Sequence, residues 1–414
     1  MNLFEVVKSV ENYVIDLRRH FHQYPEVSMK EFQTMEKVKT ELEEMKIPYE
    51  VVPDGGIIGT IEGIRPGKTV MLRADLDALP VQESPLNVKQ PKKVVSKIDG
   101  VAHACGHDAH MAMLLGAAKI LQDNRDKLNG KVLLVFERGE EIGGGIYALL
   151  KRLTEIGVDG LWGIHMKNDL PSGKISVDAG PRMAAAFPFH IKIKGKGGHG
   201  SRPDLATSPV DCFVHFYQTL TSMRLNALNP HDPITFSVGM ISAGDAANVI
   251  PDEIEFSGTG RYLNVEQGRA AVMELERILE ATCKLHRCTF EYVTEPIARD
   301  ILVYNQEDCA EIAERAIESA LGRDVLSSHP AWMASEPFAY YQKYFPGVFA
   351  FLGTKNEALG TGAEHHNSHF DIDEAVLKIG VAATVQYAID FLAYEGEIHF
   401  EAGTKSVETL FQDF

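Results

Sequence analysis

The segment with the densest set of metal-binding side chains is His103–His110, which reads HACGHDAH. It combines a thiol, three imidazoles and a carboxylate, and thiolate and imidazole are common ligands of zinc and other transition metals. The apolar stretch 111–121 follows directly and predicts a helix. The segment could therefore also cap that helix, with Cys105 as a small buried side chain. Its density of ligand-type residues favours a metal site.

Two adjacent glutamates, Glu140 and Glu141, follow the predicted strand 131–136. One carboxylate of such a pair can bind a metal ion, while its neighbour keeps the basicity that general acid–base catalysis needs. The alternative is a solvated helix start, where acidic residues suit the helix dipole. The glycines at 143–145 favour a site, because they allow the backbone to approach a ligand closely.

Histidines supply two further places with ligand-type side chains. His165 follows the predicted strand 160–164, and His365 and His366 form a pair near the C-terminal end. Ligands in α/β proteins gather at the carboxyl ends of the strands, so these residues are expected near His103–His110. A lone His165 could also be a core residue. Together the groups exceed the ligands of one catalytic zinc, which predicts a two-metal centre.

The elements that must position these residues alternate between strands and helices, which predicts a layered α/β fold with a largely parallel sheet. Predicted helices cover 3–23, 30–46, 108–123, 145–153, 207–226, 265–285, 306–321 and 372–393. Predicted strands cover 70–73, 131–136, 160–164, 189–194, 234–242, 253–262, 287–293 and 348–352. The order β-α-β-β-α-β between 185 and 295 is that of a ferredoxin-like unit. We therefore predict a discontinuous catalytic domain, 1–184 and 296–414, with an inserted α+β domain at 185–295.

Three residues of the predicted insert could meet a substrate. His199 lies in the glycine-rich loop 195–203 and could donate to a developing oxyanion, or it could be an exposed side chain in a turn. Arg261 ends a predicted strand and could bind a carboxylate in a bidentate manner, or be solvated. Asn248, before Val249–Pro251, is similarly ambiguous.

Composition limits the partners. The net charge is −17, from 41 Lys and Arg against 58 Asp and Glu, which opposes nucleic-acid binding. No apolar run approaches the roughly 20 residues of a membrane span, and no secretory signal is visible, so we expect a cytoplasmic protein that binds no membrane. The five scattered cysteines are expected to be free thiols. Cys283, His286 and Cys288 form a second cluster, interpreted as structural.

Blocks in a fixed order along nearly the whole chain resemble the aminoacylase-type dinuclear metallohydrolases. This family includes auxin–amino acid conjugate hydrolases, hippurate hydrolases and N-acetyl-diaminopimelate deacetylases. The similar blocks are 18–26, 73–80, 103–110, 195–203, 248–251, 346–347 and 366–371.

The resemblance implies a role for each matching residue. The implied metal ligands are Cys105, His107, Glu141, His165 and His366. Glu140 would be the general base, and Asp77 would hold the centre in shape from outside the ligand set. The insert would dimerise the protein and act as a lid. It would direct His199 toward the cleft, with Asn248 and Arg261 near the carboxylate end of the substrate.

Three segments depart from the family pattern. Glu137-Arg138-Gly139 stands where the family usually has Gln-Pro-Ala, and Ser335-Glu336-Pro337-Phe338 where it has Ser-Glu-Asp-Phe. The stretch 83–101 carries a basic patch at 89–97 beside the metal-binding segment. None removes an implied ligand, but all three bear on which substrate is accepted.

These observations and the resemblance together predict a metal-dependent amidohydrolase that forms a homodimer or a higher homo-oligomer. It would cleave N-acyl amino acids or small amino-acid conjugates by metal-activated water. The ligand set favours two zinc ions and admits manganese, cobalt or nickel. The alternatives are an aminopeptidase or dipeptidase on the same centre, a metal-binding protein without turnover, and a metal-free dimeric scaffold.

Overall fold

A computed structural model describes residues 3–412 of the chain. The chain forms two compact units. The larger unit contains the residues up to Gly180, Tyr304–Pro330 and the chain from Pro337 onward, and the smaller unit contains Pro181–Val303 and Ala331–Glu336. The domain limits given above, and the roles of dimerisation and lid, stay predictions.

Secondary structure covers most of both units. The strands are β1 (Tyr49–Val52), β2 (Gly56–Glu62), β3 (Arg65–Asp75), β4 (Asn129–Glu137), β5 (Gly160–Pro171), β6 (Ile175–Ser176), β7 (Gly180–Met183), β8 (Ala185–Lys194), β9 (Gly198–His199), β10 (Ile234–Ser242), β11 (Val249–Ile250), β12 (Glu253–Tyr262), β13 (Thr289–Thr294), β14 (Val303–Asn305) and β15 (Gly347–Lys355). The α-helices are α1 (Leu3–Gln23), α2 (Phe32–Glu44), α3 (His107–Asp123), α4 (Ile146–Ile156), α5 (Pro209–Asn226), α6 (Val265–His286), α7 (Glu307–Leu321), α8 (Phe338–Tyr341), α9 (Leu377–Ala393) and α10 (Val407–Gln412).

A seven-stranded sheet in the order β1-β2-β4-β3-β5-β15-β6 forms the centre of the larger unit. The four inner strands, β4, β3, β5 and β15, run parallel, and the outer pairs are antiparallel. Residues 132–137 of β4 are all buried, as expected for a strand covered on both faces. The parallel register places Asp75 opposite Glu137 and His165 opposite Phe351, so polar residues collect at the carboxyl ends of these strands.

Helices α1, α3, α7 and α9 pack together in the core of the larger unit. The expectation that no apolar run is long enough for a membrane span is wrong for Glu374–Ala393, which is long and apolar enough to cross one. Its 18-residue apolar window has a mean hydropathy of 1.4, but 67% of that window is buried inside the protein. Such burial is typical of the core helix of a globular domain. The chain after Gly396 contains α10, which packs against α4, and Phe411 of this helix stacks with Tyr340.

The smaller unit contains the predicted order β8-α5-β10-β12-α6-β13. Its four-stranded antiparallel sheet has the order β10-β12-β8-β13. Along β8, Phe187, Phe189, Ile191 and Ile193 alternate with more exposed residues, which gives this strand one buried face. Helices α5 and α6 cover that face, and the buried thiols of Cys212 and Cys283 lie 3.8 Å apart between them.

All five cysteines are free and buried, in agreement with the sequence prediction. The layered α/β class is confirmed as well.

The Leu134→Ala substitution tests how far the parallel sheet stabilises the larger unit. Leu134 is fully buried in β4, so we expect the free energy of unfolding to fall by about 2–5 kcal/mol through lost burial and cavity formation. Denaturant unfolding followed by the fluorescence of buried Trp162 measures this change. Val51→Ala, at an edge-strand position that is 47% exposed, should change it by less than about 0.5 kcal/mol. Equal losses in both variants would contradict this view of the core.

Candidate metal centre

Cys105 and His107 meet at the sharp turn that begins α3. Gly106 between them has a φ of 96°, a left-handed conformation that glycine adopts without strain. A Cβ atom at Gly106 would lie 2.8 Å from Cγ of Met166, so the turn also needs a residue without a side chain. The turn directs the thiol and the imidazole toward the end of β5.

The five predicted ligands and the predicted base Glu140 form overlapping groups. The groups are Cys105, His107 and His165; Cys105, Glu141 and His366; and His107, Glu140 and Glu141, with the atoms of each group within 4.8 Å of one another. Sγ of Cys105 lies 3.6 Å from Nε2 of His165. Nε2 of His366 lies 3.3 Å from Oε1 of Glu141. Tetrahedral zinc with bonds of 2.0–2.3 Å places its ligand atoms roughly 3.3–3.8 Å apart, so these spacings fit metal binding.

The two glutamates lie on a short 3-10 helix, Glu140–Ile142. Glycines in the left-handed region stand on either side of it, with φ of 62° at Gly139 and 64° at Gly143. The side chains of Glu140 and Glu141 are only 9% and 11% exposed, which excludes the solvated helix start. Oε2 of Glu140 lies 3.8 Å from Nε2 of His107, so this carboxylate faces the ligand cluster.

Asp77 connects the glutamates with His107. Its carboxylate oxygens accept hydrogen bonds from the backbone N–H groups of Glu140 and Glu141, both at 3.1 Å, and from the hydroxyl of Ser28 at 2.6 Å. The backbone carbonyl of Asp77 accepts from Nδ1 of His107 at 2.8 Å. This bond fixes the proton on Nδ1 and leaves Nε2 of His107 available as a metal ligand.

Sequence reasoning missed the contact between Asp75 and His110. Nδ1 of His110 donates to Asp75 at 2.7 Å, and Nε2 accepts from the backbone N–H of Met166 at 3.0 Å. Both ring nitrogens are therefore engaged, so His110 supports the centre from outside the ligand set. The spacing of His107 and His110 on one face of α3 indicates that both rings lie near the centre, but it does not identify Asp75 as the partner.

His365 is one of the ligand-type residues of the sequence, but the implied ligand set contains only its neighbour His366. Its Nδ1 lies 3.8 Å from Sγ of Cys105. Burial of the ring, with the nearby charge of Lys167, lowers the pKa of His365 to about 3. This imidazole, which is next to the implied ligand His366 in the chain, is therefore neutral at physiological pH.

The electrostatics of the cluster match a site built for cations. Burial raises the pKa of the Cys105 thiol far above its ordinary value, so the thiol ionises only with a cation beside it. Burial lowers the pKa of His165 well below its ordinary value, which keeps this ring neutral. Within residues 3–412, Nε2 of His107 and Oε1 of Glu141 are buried atoms without a hydrogen bond. The donor set therefore fits two divalent cations.

The other three predicted site residues lie in the smaller unit. His199 is exposed in β9, and its Nδ1 accepts from the backbone N–H and the hydroxyl of Ser201. Asn248 is also exposed, and its carbonyl accepts from the N–H of Gly200 at 2.8 Å. Arg261 donates to the hydroxyl of Ser335 at 3.1 Å, and burial lowers its pKa. Their contact with substrate stays a prediction.

The tripeptide Glu137-Arg138-Gly139, which departs from the family pattern, forms hydrogen bonds with neighbouring segments. Arg138 donates to Glu31 at 2.9 Å and to the carbonyl of Met29 at 2.7 Å. Glu137 accepts from Arg73 at 2.8 Å and from the hydroxyl of Tyr341 at 3.1 Å. These residues therefore stabilise the turn that holds Glu140.

A sheet edge that gathers a thiol, imidazoles and carboxylates around an acidic side chain defines a metal-dependent hydrolase. A family model described as Peptidase family M20/M25/M40 matches residues 71–390. The chain belongs to this family, and it is an enzyme that hydrolyses amide bonds. The resemblance to dinuclear metallohydrolases is thereby confirmed.

Similar proteins cover most of this chain. Thermostable carboxypeptidase 2 of Saccharolobus solfataricus is 36% identical over 93% of this chain and 97% of that protein. N-acetylcysteine deacetylase of Bacillus subtilis is 33% identical over 92% and 97%. IAA-amino acid hydrolase ILR1-like 4 of Arabidopsis thaliana is 32% identical over 92% and 86%.

A similar solved structure is that of the Bacillus subtilis YXEP protein, described as a dinuclear metal binding peptidase. It superimposes with a TM-score of 0.80 at 31% identity, covering 93% of this chain and 99% of that one.

The Asp77→Asn substitution tests how the glutamates are held. The new amide has one oxygen in place of two, so its NH₂ group must face a backbone donor. We expect metal affinity to fall about 10- to 100-fold, as for other residues that orient metal ligands. Calorimetric titration of the metal-free protein with Zn²⁺ measures the change, and Asp245→Asn at an exposed position is the control. Unchanged affinity in Asp77→Asn would show that the glutamates do not depend on this carboxylate.

Proposed function

We propose that this enzyme hydrolyses the amide bond of N-acyl amino acids or small amino-acid conjugates. The observation that carries the proposal is the position of Glu140. Its carboxylate is buried and faces the ligand cluster, 3.8 Å from Nε2 of His107. The similarity to a deacetylase and to an amino acid conjugate hydrolase supports this substrate class.

Five side chains would hold the two cations: Cys105, His107, Glu141, His165 and His366. Bound divalent ions polarise an acyl carbonyl and lower the pKa of water toward about 7. The mixture of thiolate, imidazole and carboxylate favours zinc and admits manganese, cobalt or nickel. Asp77 and His110 keep this set in position through the bonds described above.

Glu140 would act as the general base. It would take a proton from the attacking water and deliver it to the leaving amine, which becomes the free amino group of the product. The low exposure of its side chain and its position facing the ligand cluster support this role.

The smaller unit would contribute the groups that recognise substrate. His199 would donate to the oxyanion that forms on the acyl carbon. Asn248 and Arg261 would bind the carboxylate of the amino acid, for which a guanidinium is well suited. Closure of the smaller unit would exclude water during the reaction.

A carboxypeptidase is the second candidate, because thermostable carboxypeptidase 2 is 36% identical to this chain. A C-terminal residue of a peptide is itself an N-acylated amino acid, so both activities place the same groups around the scissile amide. The two differ in whether the acyl side accepts a peptide. An aminopeptidase or dipeptidase would in addition require a free substrate amine.

We further propose a homodimer formed through the smaller unit and a cytoplasmic location, without nucleic-acid or membrane partners. The net charge of −17 supports the absence of nucleic acid. Light scattering coupled to size-exclusion chromatography would measure the mass of the assembly, and a monomer would contradict the dimer.

The Glu140→Gln substitution tests the proposed base. The amide keeps the size of the side chain but cannot accept a proton, so we expect kcat to fall about 10²- to 10⁴-fold while both cations stay bound. The assay uses N-acetyl and N-benzoyl amino acids with Zn²⁺, Mn²⁺ or Co²⁺ restored, beside peptides with free and blocked termini.

Glu401→Gln, at an exposed position, is the matched control and should keep full activity. Full activity in Glu140→Gln would show that another group is the base. A metal-loaded wild type that cleaves none of these amides would contradict the proposed substrate class.

A further inference from the structure

The basic stretch beside the metal-binding segment contains one lysine that is not on the surface. The side chain of Lys92 is 1% exposed, whereas that of its neighbour Lys93 is 60% exposed. An ammonium group is rarely buried unless it is paired, because it loses its hydration. Lys92 therefore needs specific partners.

Lys92 binds one carboxylate and one backbone carbonyl. Its Nζ donates to Oε1 of Glu83 at 2.7 Å and to the carbonyl of Ser368 at 3.0 Å. The backbone N–H of Ser84 donates to the same carbonyl at 3.0 Å. Ser368 is two residues from His366, so both donors hold the segment that carries this proposed ligand.

Further bonds join the same two segments, which we name the clasp (residues 83–93) and the ligand loop (residues 356–371). Asn87 donates to the carbonyl of Leu359 at 3.0 Å and to Asp371 at 2.8 Å. The ring of His369 donates to the carbonyl of Leu86 at 2.9 Å. The clasp thus holds the ligand loop on both sides of His366.

The clasp is also tied to the helix that carries His107. Glu83 contacts Nε2 of His22 at 2.9 Å, and Nδ1 of His22 contacts Asp108 at 2.8 Å. Asp108 directly follows His107 in α3. A continuous chain of buried polar contacts therefore runs from the neighbour of His107 through Lys92 to the ligand loop.

The ligand loop needs such support at His366. The backbone of His366 has a φ of 61°, in the left-handed region that residues other than glycine adopt only when the surroundings enforce it. The side chain is 52% exposed, so packing does little to fix it. Backbone bonds must hold the residue, including its own N–H to the carbonyl of Ala104 at 2.9 Å.

We propose that Lys92 is a positioning residue, which sets the place of His366 by binding the Ser368 carbonyl from the clasp. The inference rests on the proposed metal centre for its effect on catalysis. It gives the stretch 83–101, which departs from the family pattern, a function in assembling the site.

Lys92→Met tests the inference, because methionine fills similar space without charge or donors. We expect the full-length variant to bind at least one of its two Zn²⁺ equivalents 10-fold or more weakly, as measured by calorimetric titration and elemental analysis. We also expect faster amide hydrogen exchange in residues 359–371 of the metal-free protein. Lys93→Met is the control and should match wild type in both measurements.

A double variant separates positioning from charge compensation. Lys92→Met removes the ammonium group that pairs with the buried Glu83 carboxylate. Glu83→Gln then removes the unpaired negative charge of that carboxylate. If Lys92 positions the loop, the double variant recovers thermal stability but keeps weak Zn²⁺ binding and fast exchange in 359–371. If the double variant recovers thermal stability, Zn²⁺ affinity and slow exchange together, the inference is overturned. Wild-type Zn²⁺ affinity and exchange rates in Lys92→Met would overturn it as well. If wild type itself binds fewer than two Zn²⁺ ions, the proposed zinc pair is wrong, and the exchange rates alone decide the role of Lys92.

Discussion

Two buried carboxylates at the carboxyl end of β3 hold the candidate metal centre together. Asp77 binds the backbone that carries both glutamates, and Asp75 binds His110 and Arg73. Both carboxylates are almost wholly buried, so each must be compensated by donors, and each donor is fixed in return. The parallel register of β3 with β4 and β5 brings those donors within reach. The position of the centre thus depends on strand pairing as much as on the ligands.

The order of elements could be predicted from the sequence because hydrophobic periodicity is a local property. The predicted helices 30–46 and 306–321 correspond to Phe32–Glu44 and Glu307–Leu321, and the β-α-β-β-α-β order between 185 and 295 is present in the smaller unit. The edges of the large sheet are the main difference. The sequence predicts a largely parallel sheet, and only its inner four strands are parallel.

The candidate site could be predicted where ligand-type residues are adjacent in the chain or directly follow a strand. Cys105 and His107 share one turn, and His165 belongs to a buried strand. The support of the site was harder to predict, because it depends on which groups meet in three dimensions. Nothing local distinguishes Asp75 from Asp77, or shows that His365 and His366 both lie near the cluster. His366 has a φ of 61°, in the left-handed region. Nothing in the sequence indicates this backbone conformation.

The route of the chain through the larger unit affects how the protein is made. Strand β15 and helix α9 complete the sheet and the core, yet they come from the last quarter of the sequence. A ribosome therefore releases the smaller unit before the larger one can close. Until α9 emerges, the apolar surfaces of α1 and α3 lack their partner, and this interval is when the nascent chain is most exposed to aggregation. Truncation near the C-terminus should consequently be far more harmful to soluble expression than the loss of an equal length within a surface loop.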